Sequence, residues 1–268
     1  MTLIDTHCHL DFDAFDSDRA DVVARAQEAG VDVIVNPSTD IANAAKVVAL
    51  AQQTTCVYAA VGVHPNSSTQ WGASSEEEVR QLAQQSKVVA IGEIGLDYYW
   101  DEAPHDVQQK VLQAQLELAA EMELPVIVHN REASEDLLAI LLEWQAGLAA
   151  SGSRLAARPG VLHSFSGDQA MADKAVAAGY FLGFTGPLTF KNAPVLQAIA
   201  KHAPLERVLV ETDSPFLSPH PLRGQRNEPA RVKLVAEKLA ELKGLPYEEI
   251  CAATTANARH LFGIEAQQ

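Results

Sequence analysis

The chain has 268 residues, 47% of them hydrophobic and 21% charged, with Asp+Glu 35 against Lys+Arg 20 and a formal net charge of -15. That is a globular composition, long enough for one barrel-sized domain or two smaller ones. The acidic balance excludes a broad basic surface wrapped around duplex nucleic acid, although local basic patches remain open to it. The 3 cysteines, Cys8, Cys56 and Cys251, are far apart and form no Cys-x-x-Cys pair. This excludes a disulfide framework or a zinc finger and fits a reducing compartment. No basic, then apolar, leader opens the chain, and no apolar run reaches about 18 residues. We therefore expect a cytoplasmic protein without a membrane span.

Short apolar runs alternate with helical patterns along the whole chain. The first strand, Leu3-Ile4-Asp5-Thr6-His7-Cys8-His9, ends in His-x-His. Side chains alternate faces along a strand, so His7 and His9 point one way and Cys8 the other. Ser17-Asp18 can cap a helix to about Ala29, with Gly30 as its stop. Strands are expected at Val31–Asn36 and Val57–Val63, around a helix at Ile41–Gln53. Ser74-Ser75-Glu76-Glu77-Glu78 is a helix start, its acids suiting the positive end of the dipole. The next strand, Val88–Glu93, is followed by a loop, Ile94–Tyr99, and a long helix from about Asp106 to Glu123. Leu124–His129 is a strand with Pro125 near its start, and Ser134–Trp144 is helical. Ala146–Pro159 reads as a surface loop or a helix extension. Then come strands at Gly160–His163, Tyr180–Thr185 and Arg207–Thr212, with helices at Gln169–Ala178 and Ala193–His202 between them. The remainder is helical from about Asn227, broken at Gly244-Leu245-Pro246.

About eight apolar strands, each followed by a helix and with no dividing linker, indicate a single-domain α/β fold spanning residues 1–268: a (β/α)8 TIM-type barrel. A doubly wound sheet is the rival, but no Gly-x-Gly-x-x-Gly follows a strand. Polar residues collect at the strand ends: His7, His9, His64, Glu93, His129, His163 and Asp213. In a barrel those ends converge on one face. Imidazoles and carboxylates gathered there repel and desolvate one another unless they share a cation. The mixed set suits zinc, manganese or iron ahead of magnesium. Two close ions need a bridging ligand, and Glu93 offers two oxygens. Asp213 is placed to ligate and to take a proton from water. Arg131 leaves its strand on the side of His129 and can pair with a phosphate. Arg223 and Arg226 lie in a Pro-rich loop after Asp213, and either meet substrate or pair with carboxylates such as Glu228. Tyr98, Tyr99 and Trp100 can stack on a base or pack their loop.

Several stretches resemble the TatD-type metal-dependent hydrolases, a branch of the amidohydrolase-like barrels. They are Ile4-Asp5-Thr6-His7-Cys8-His9-Leu10, Gly62-Val63-His64-Pro65, Gly92-Glu93-Ile94-Gly95-Leu96-Asp97-Tyr98, His129-Asn130-Arg131, His163-Ser164-Phe165-Ser166-Gly167, Glu211-Thr212-Asp213-Ser214-Pro215 and Arg223-Gly224-Gln225-Arg226-Asn227-Glu228-Pro229. The resemblance implies one ion held by His7, His9, Glu93 and Asp213, and a second by Glu93, His129 and His163. Asp213 would handle the attacking water, while His64, Arg131, Arg223 and Arg226 would engage phosphate. It implies two divalent ions per subunit, magnesium or manganese for activity, with zinc found in relatives. The activity implied is a deoxyribonuclease, 3'-5' exonuclease-like, acting on single-stranded or frayed DNA ends, with no membrane and no obligate protein partner. The same centre would equally attack another ester or amide, such as an aminoacyl-tRNA ester or a small phosphoester. A metal-binding protein without turnover is the third reading, which Asp213 and Arg131 beside the ligands argue against.

Overall fold

The computed structural model describes residues 2–265 of the chain. Eight parallel strands follow one another around a single sheet in chain order. They are β1 (Leu3–Asp5), β2 (Val31–Pro37), β3 (Val57–Val61), β4 (Val88–Asp97), β5 (Val126–Arg131), β6 (Gly160–Leu162), β7 (Phe181–Phe184) and β8 (Val208–Val210). The helices among the described residues are α1 (Arg19–Glu28), α2 (Ile41–Gln53), α3 (Ala73–Ala83), α4 (His105–Met122), α5 (Ser134–Ala150), α6 (Gln169–Ala177), α7 (Pro194–His202), α8 (Val232–Lys243) and α9 (Tyr247–Phe262). The two edges of the sheet meet beyond β8. The amide of Thr6 donates to the carbonyl of Val210 at 3.4 Å, that of Asp213 to His7 at 2.8 Å and that of His9 to Ser214 at 2.8 Å. Cys8 and Ser214 form an isolated parallel bridge. The result is the expected (β/α)8 barrel, nearly closed.

Strand residues sort by parity. Ile4, Val33, Val35, Ala60, Ala90, Ile127, Val161 and Leu209 pack inside the barrel, whereas Leu3, Ile34, Ala59, Val128 and Val210 face the helices. Leu261, Phe262 and Ile264, at and just after the end of α9, join the inner cluster. Full burial of such side chains contributes about 1.5–3 kcal/mol each. The N-terminal end of the barrel is thereby filled with hydrocarbon, and polar chemistry is left to the opposite end. Helix ends are tied locally. The Asp40 carboxylate accepts from the Asn43 amide at 2.9 Å and starts α2. Past the other end of α2, Lys87 Nζ donates to the carbonyls of Ala51 and Thr54 at 2.8 and 2.6 Å.

Several boundaries differ from the sequence expectation. β4 continues through Ile94–Asp97, where a loop was expected, because Ile94 and Leu96 are buried and the stretch pairs with β5 from Val128 to Arg131. Gly95 makes this possible: its φ is +147°, and a Cβ there would lie 2.1 Å from the carbonyl oxygen of His129. α5 runs on to Ala150, so the stretch from Ala146 begins as helix extension. β1, β6 and β8 are shorter than expected, which leaves His7, His9, His163, Glu211 and Asp213 just beyond their strands. No helix among the described residues is long and apolar enough to cross a membrane.

Candidate metal centre and substrate mouth

His7 and His9 leave β1 on one side, while Cys8 turns into the outer core, as alternation predicts. The Nε2 atoms of His7 and His9 are 3.2 Å apart. Glu93 Oε2, from β4, lies 3.3 Å from His7 Nε2 and 3.6 Å from His9 Nε2. Asp213 Oδ1, from the turn after β8, lies 3.8 and 3.6 Å from the same two nitrogens. Asp213 has φ +56°, so a left-handed backbone aims its carboxylate back at β1. An ion with bonds of about 2.1 Å in tetrahedral array holds its ligands about 3.4 Å apart. These five separations, 3.2–3.8 Å, lie around that spacing, so these donors fit a divalent cation.

The other carboxylate oxygen of Glu93 faces a second group. Oε1 is 3.0 Å from His129 Nδ1 and 3.9 Å from His64 Nε2. Glu93 thus turns one oxygen to each set of imidazoles, as a bridging ligand must. His129 is held from behind, with Nε2 3.0 Å from Asp97 Oδ2. Asp97 is fixed in turn by the amides of Tyr99 and Trp100, at 3.0 and 3.2 Å. A carboxylate on the far nitrogen sets the tautomer and orientation of a ligating histidine. His64, expected at the substrate, lies beside Glu93 and His129, with which it could hold a metal, and also lines the cavity above them.

His163, expected beside His129, lies on the other flank. Its ring stacks on His7 at 3.3 Å between centroids. Its Nδ1 is 2.9 Å from Glu211 Oε1, and its Nε2 is 3.7 Å from Asp213 Oδ1. Glu211 is fully buried and accepts from the Thr6 hydroxyl at 3.0 Å and from the Ser164 amide at 2.5 Å. Asp5 below it accepts from the Thr212 hydroxyl and amide, at 2.6 and 2.9 Å. Sequence reasoning gave no role to Asp5, Asp97 or Glu211. The signal available was an ionisable residue inside an otherwise apolar strand.

The charge states follow from these contacts. Burial, aided by His163, pushes His7 down to about 3, and burial with His129 does the same to His64. Both are therefore neutral, the form that binds a metal. Burial opposes ionisation of Glu93, but His7 and His129 outweigh it and hold the carboxyl well below its usual range. Burial also disfavours the charged form of His129 and His163. Asp97 and Glu93 outweigh this for His129, and Glu211 does so for His163, so each is pushed up to about 9. Burial raises Asp213 above an ordinary carboxyl.

A cavity of about 1060 Å³ opens over these residues and is lined by His9, His64, Glu93, His129, His163 and Asp213. Arg131 lines it as well, its guanidinium 3.8 Å from the Tyr99 ring. Arg223 lies in a neighbouring groove, stacked 4.0 Å over Phe190. Arg226 is taken up by Asp18, through contacts of 2.8 and 2.7 Å. Glu228 pairs with Arg25 at 2.8 Å. Tyr98 packs its loop, stacked on His105 at 3.7 Å and donating to Asp136 at 2.9 Å.

A parallel barrel with such a His–carboxylate centre at the C-terminal ends of its strands is the frame of a metal-dependent hydrolase. The model for TatD related DNase matches residues 4–263. The chain is 42% identical, over 98% of its length and 99% of the relative's, to the uncharacterized metal-dependent hydrolase YabD of Bacillus subtilis. It is 35% identical to the 3'-5' ssDNA/RNA exonuclease TatD of Shigella flexneri, covering 98% of this chain and 99% of the other. The crystal structure of YJJV, a TatD homologue from Escherichia coli K12, superposes with TM-score 0.90 at 36% identity, covering 98% of each chain. The chain belongs to the TatD family of metal-dependent hydrolases.

Proposed function

We propose that this hydrolase is an exonuclease that removes nucleotides from the end of a single DNA strand, in the 3'-5' direction. The observation that carries the reading is Glu93, placed between two donor groups at the floor of an open cavity with Arg131 on its wall. The 35% identical relative named a 3'-5' ssDNA/RNA exonuclease supports the choice of substrate. His7, His9, Glu93 and Asp213 would hold one divalent ion, and Glu93, His129 and His64 a second. Bound there, such ions lower the pKa of water and neutralise charge on a phosphodiester.

The protein's own groups do the rest. Asp213, with its raised pKa, takes the proton of the attacking water. Glu211 fixes His163 so that its Nε2 faces Asp213 and limits that carboxylate's swing. Asp97 sets the tautomer of His129. Arg131, already stacked on Tyr99, is free to accept a phosphate along its edge.

The test is digestion of an end-labelled single-stranded oligonucleotide by metal-stripped protein, with magnesium, manganese or zinc added back. A ladder growing from the 3' end, dependent on metal and absent in Asp213→Asn, is the expected result. No cleavage by metal-loaded wild type, with hydrolysis of a carboxylic ester instead, would overturn it.

A further inference from the structure

The large hydrophobic side chains that remain exposed among the described residues are Tyr99 (49%), Trp100 (48%), Val195 (66%), Phe216 (52%) and Leu217 (37%). All gather at one place. Trp100, Val195, Phe216 and Leu217 line the mouth of the metal-centre cavity, and Tyr99 packs edge-on to Trp100 at 4.8 Å. Exposed apolar side chains concentrated on one rim mark a binding surface. The rim is continuous with the chemistry: Phe216 stands edge-on to the His9 ring at 6.4 Å and to Phe12 at 6.0 Å.

Phe216 and Leu217 also line the neighbouring groove of about 500 Å³ that holds Arg223. They form a ridge between the two depressions. Arg131 lies on one side and Arg223 on the other, each guanidinium stacked on an aromatic ring rather than ion-paired. Arg226, by contrast, is spent on Asp18.

Resting on the exonuclease reading, we propose that Trp100 and the Phe216–Leu217 ridge grip unpaired terminal bases by stacking. The strand crosses the ridge, and Arg131 and Arg223 each meet one phosphate. In a chain of net charge -15 a broad ionic grip is disfavoured, and two arginines leave room for a larger non-ionic part. Aromatic rings supply it, because every base offers a π-face once it is unstacked. A duplex keeps those faces covered, so the rim selects single-stranded ends.

The test is fluorescence anisotropy of metal-loaded protein with a labelled, cleavage-resistant phosphorothioate pentathymidylate, beside the same backbone without bases. We expect the base-bearing strand to bind at least about tenfold tighter. Trp100→Ala and Phe216→Ala each weaken it by roughly 5- to 150-fold and bring the two ligands towards equal affinity. Both side chains are exposed, so either variant can stand in if the other fails to fold. The slope of log affinity against log salt should lie near 1.4, about 0.7 for each of two phosphates on a single strand. Equal binding of the two backbones, or a slope of about 3 or more, would overturn the proposal. Tight, base-dependent binding without cleavage of ordinary pentathymidylate would instead sink the exonuclease reading and leave the grip standing.

Discussion

Asp97→Asn probes the second donor group without touching it directly. The carboxylate Oδ2 sits 3.0 Å from His129 Nε2, and Oδ1 accepts from the amides of Tyr99 and Trp100. Asparagine keeps one oxygen, so it can either hold the loop or hold the histidine, but not both. If the oxygen stays with the two amides, the new NH2 faces Nε2 and drives the ring proton to Nδ1. That is the nitrogen turned towards Glu93. If the amide flips, the tautomer survives but the charge supporting the imidazole is gone. Loss of such a carboxylate lowers metal affinity about 10- to 100-fold, equivalent to roughly 1.4–2.8 kcal/mol. Zinc titration against a chromophoric chelator at pH 7.5 reads this directly, and circular dichroism checks the fold. An affinity for both ions within twofold of wild type would refute the argument that Asp97 orients a ligand.

Other outcomes follow from the same contacts. In the metal-free protein, His129 and His163 are held at about 9 against 6.5 unfolded, and Asp5 at about 8 against 3.8. Each binds its proton more tightly when folded, so the stability it contributes is lost as pH rises through the folded value. Melting temperature should therefore fall between about pH 6.5 and 9, and a flat or rising profile would contradict the assignments. Metal affinity should rise over that window, since ligands must shed protons to bind, and calorimetry in two buffers would detect the release. Gly183→Ala places a Cβ 2.4 Å from Glu211 Oε1, and should cost about 1–3 kcal/mol in urea unfolding. Phe262→Ala should cost about 3–5 kcal/mol, because α9 then no longer fills the barrel floor.

The barrel was legible because its signal is repetitive: eight buried strands, each followed by a helix. The placement of His7 and His9 together was legible for a related reason, since the period of two puts both on one side of β1. What was not legible was local. Ile94-Gly95-Leu96-Asp97 has loop composition, yet Gly95 lets it approach His129 and stay in the sheet. The resemblance grouped His163 with Glu93 and His129. The structure puts His64 there and stacks His163 on His7, a choice made by ring orientation, which spacing does not encode. Arg226 looked like Arg223 in its loop. Their difference lies in Asp18, more than two hundred positions away in the chain. Asp5 and Glu211 were passed over because their partners, Thr212 and Thr6, also lie across the barrel closure.

That closure explains why so many polar groups meet in one place. β8 ends at Val210, and the barrel is completed by backbone bonds from Asp213 to His7 and from His9 to Ser214. The residues that close the sheet are thus also candidate metal ligands. A cation held by His7, His9 and Asp213 would pull together the two strand ends that meet at this junction. Buried Asp5 and Glu211 do the same from beneath by bonding across the junction to Thr212 and Thr6. Such buried carboxylates are costly in a packed core. Here they supply the pairing that three-residue strands do not, and they lock the His163 and Asp213 side of the centre against β1.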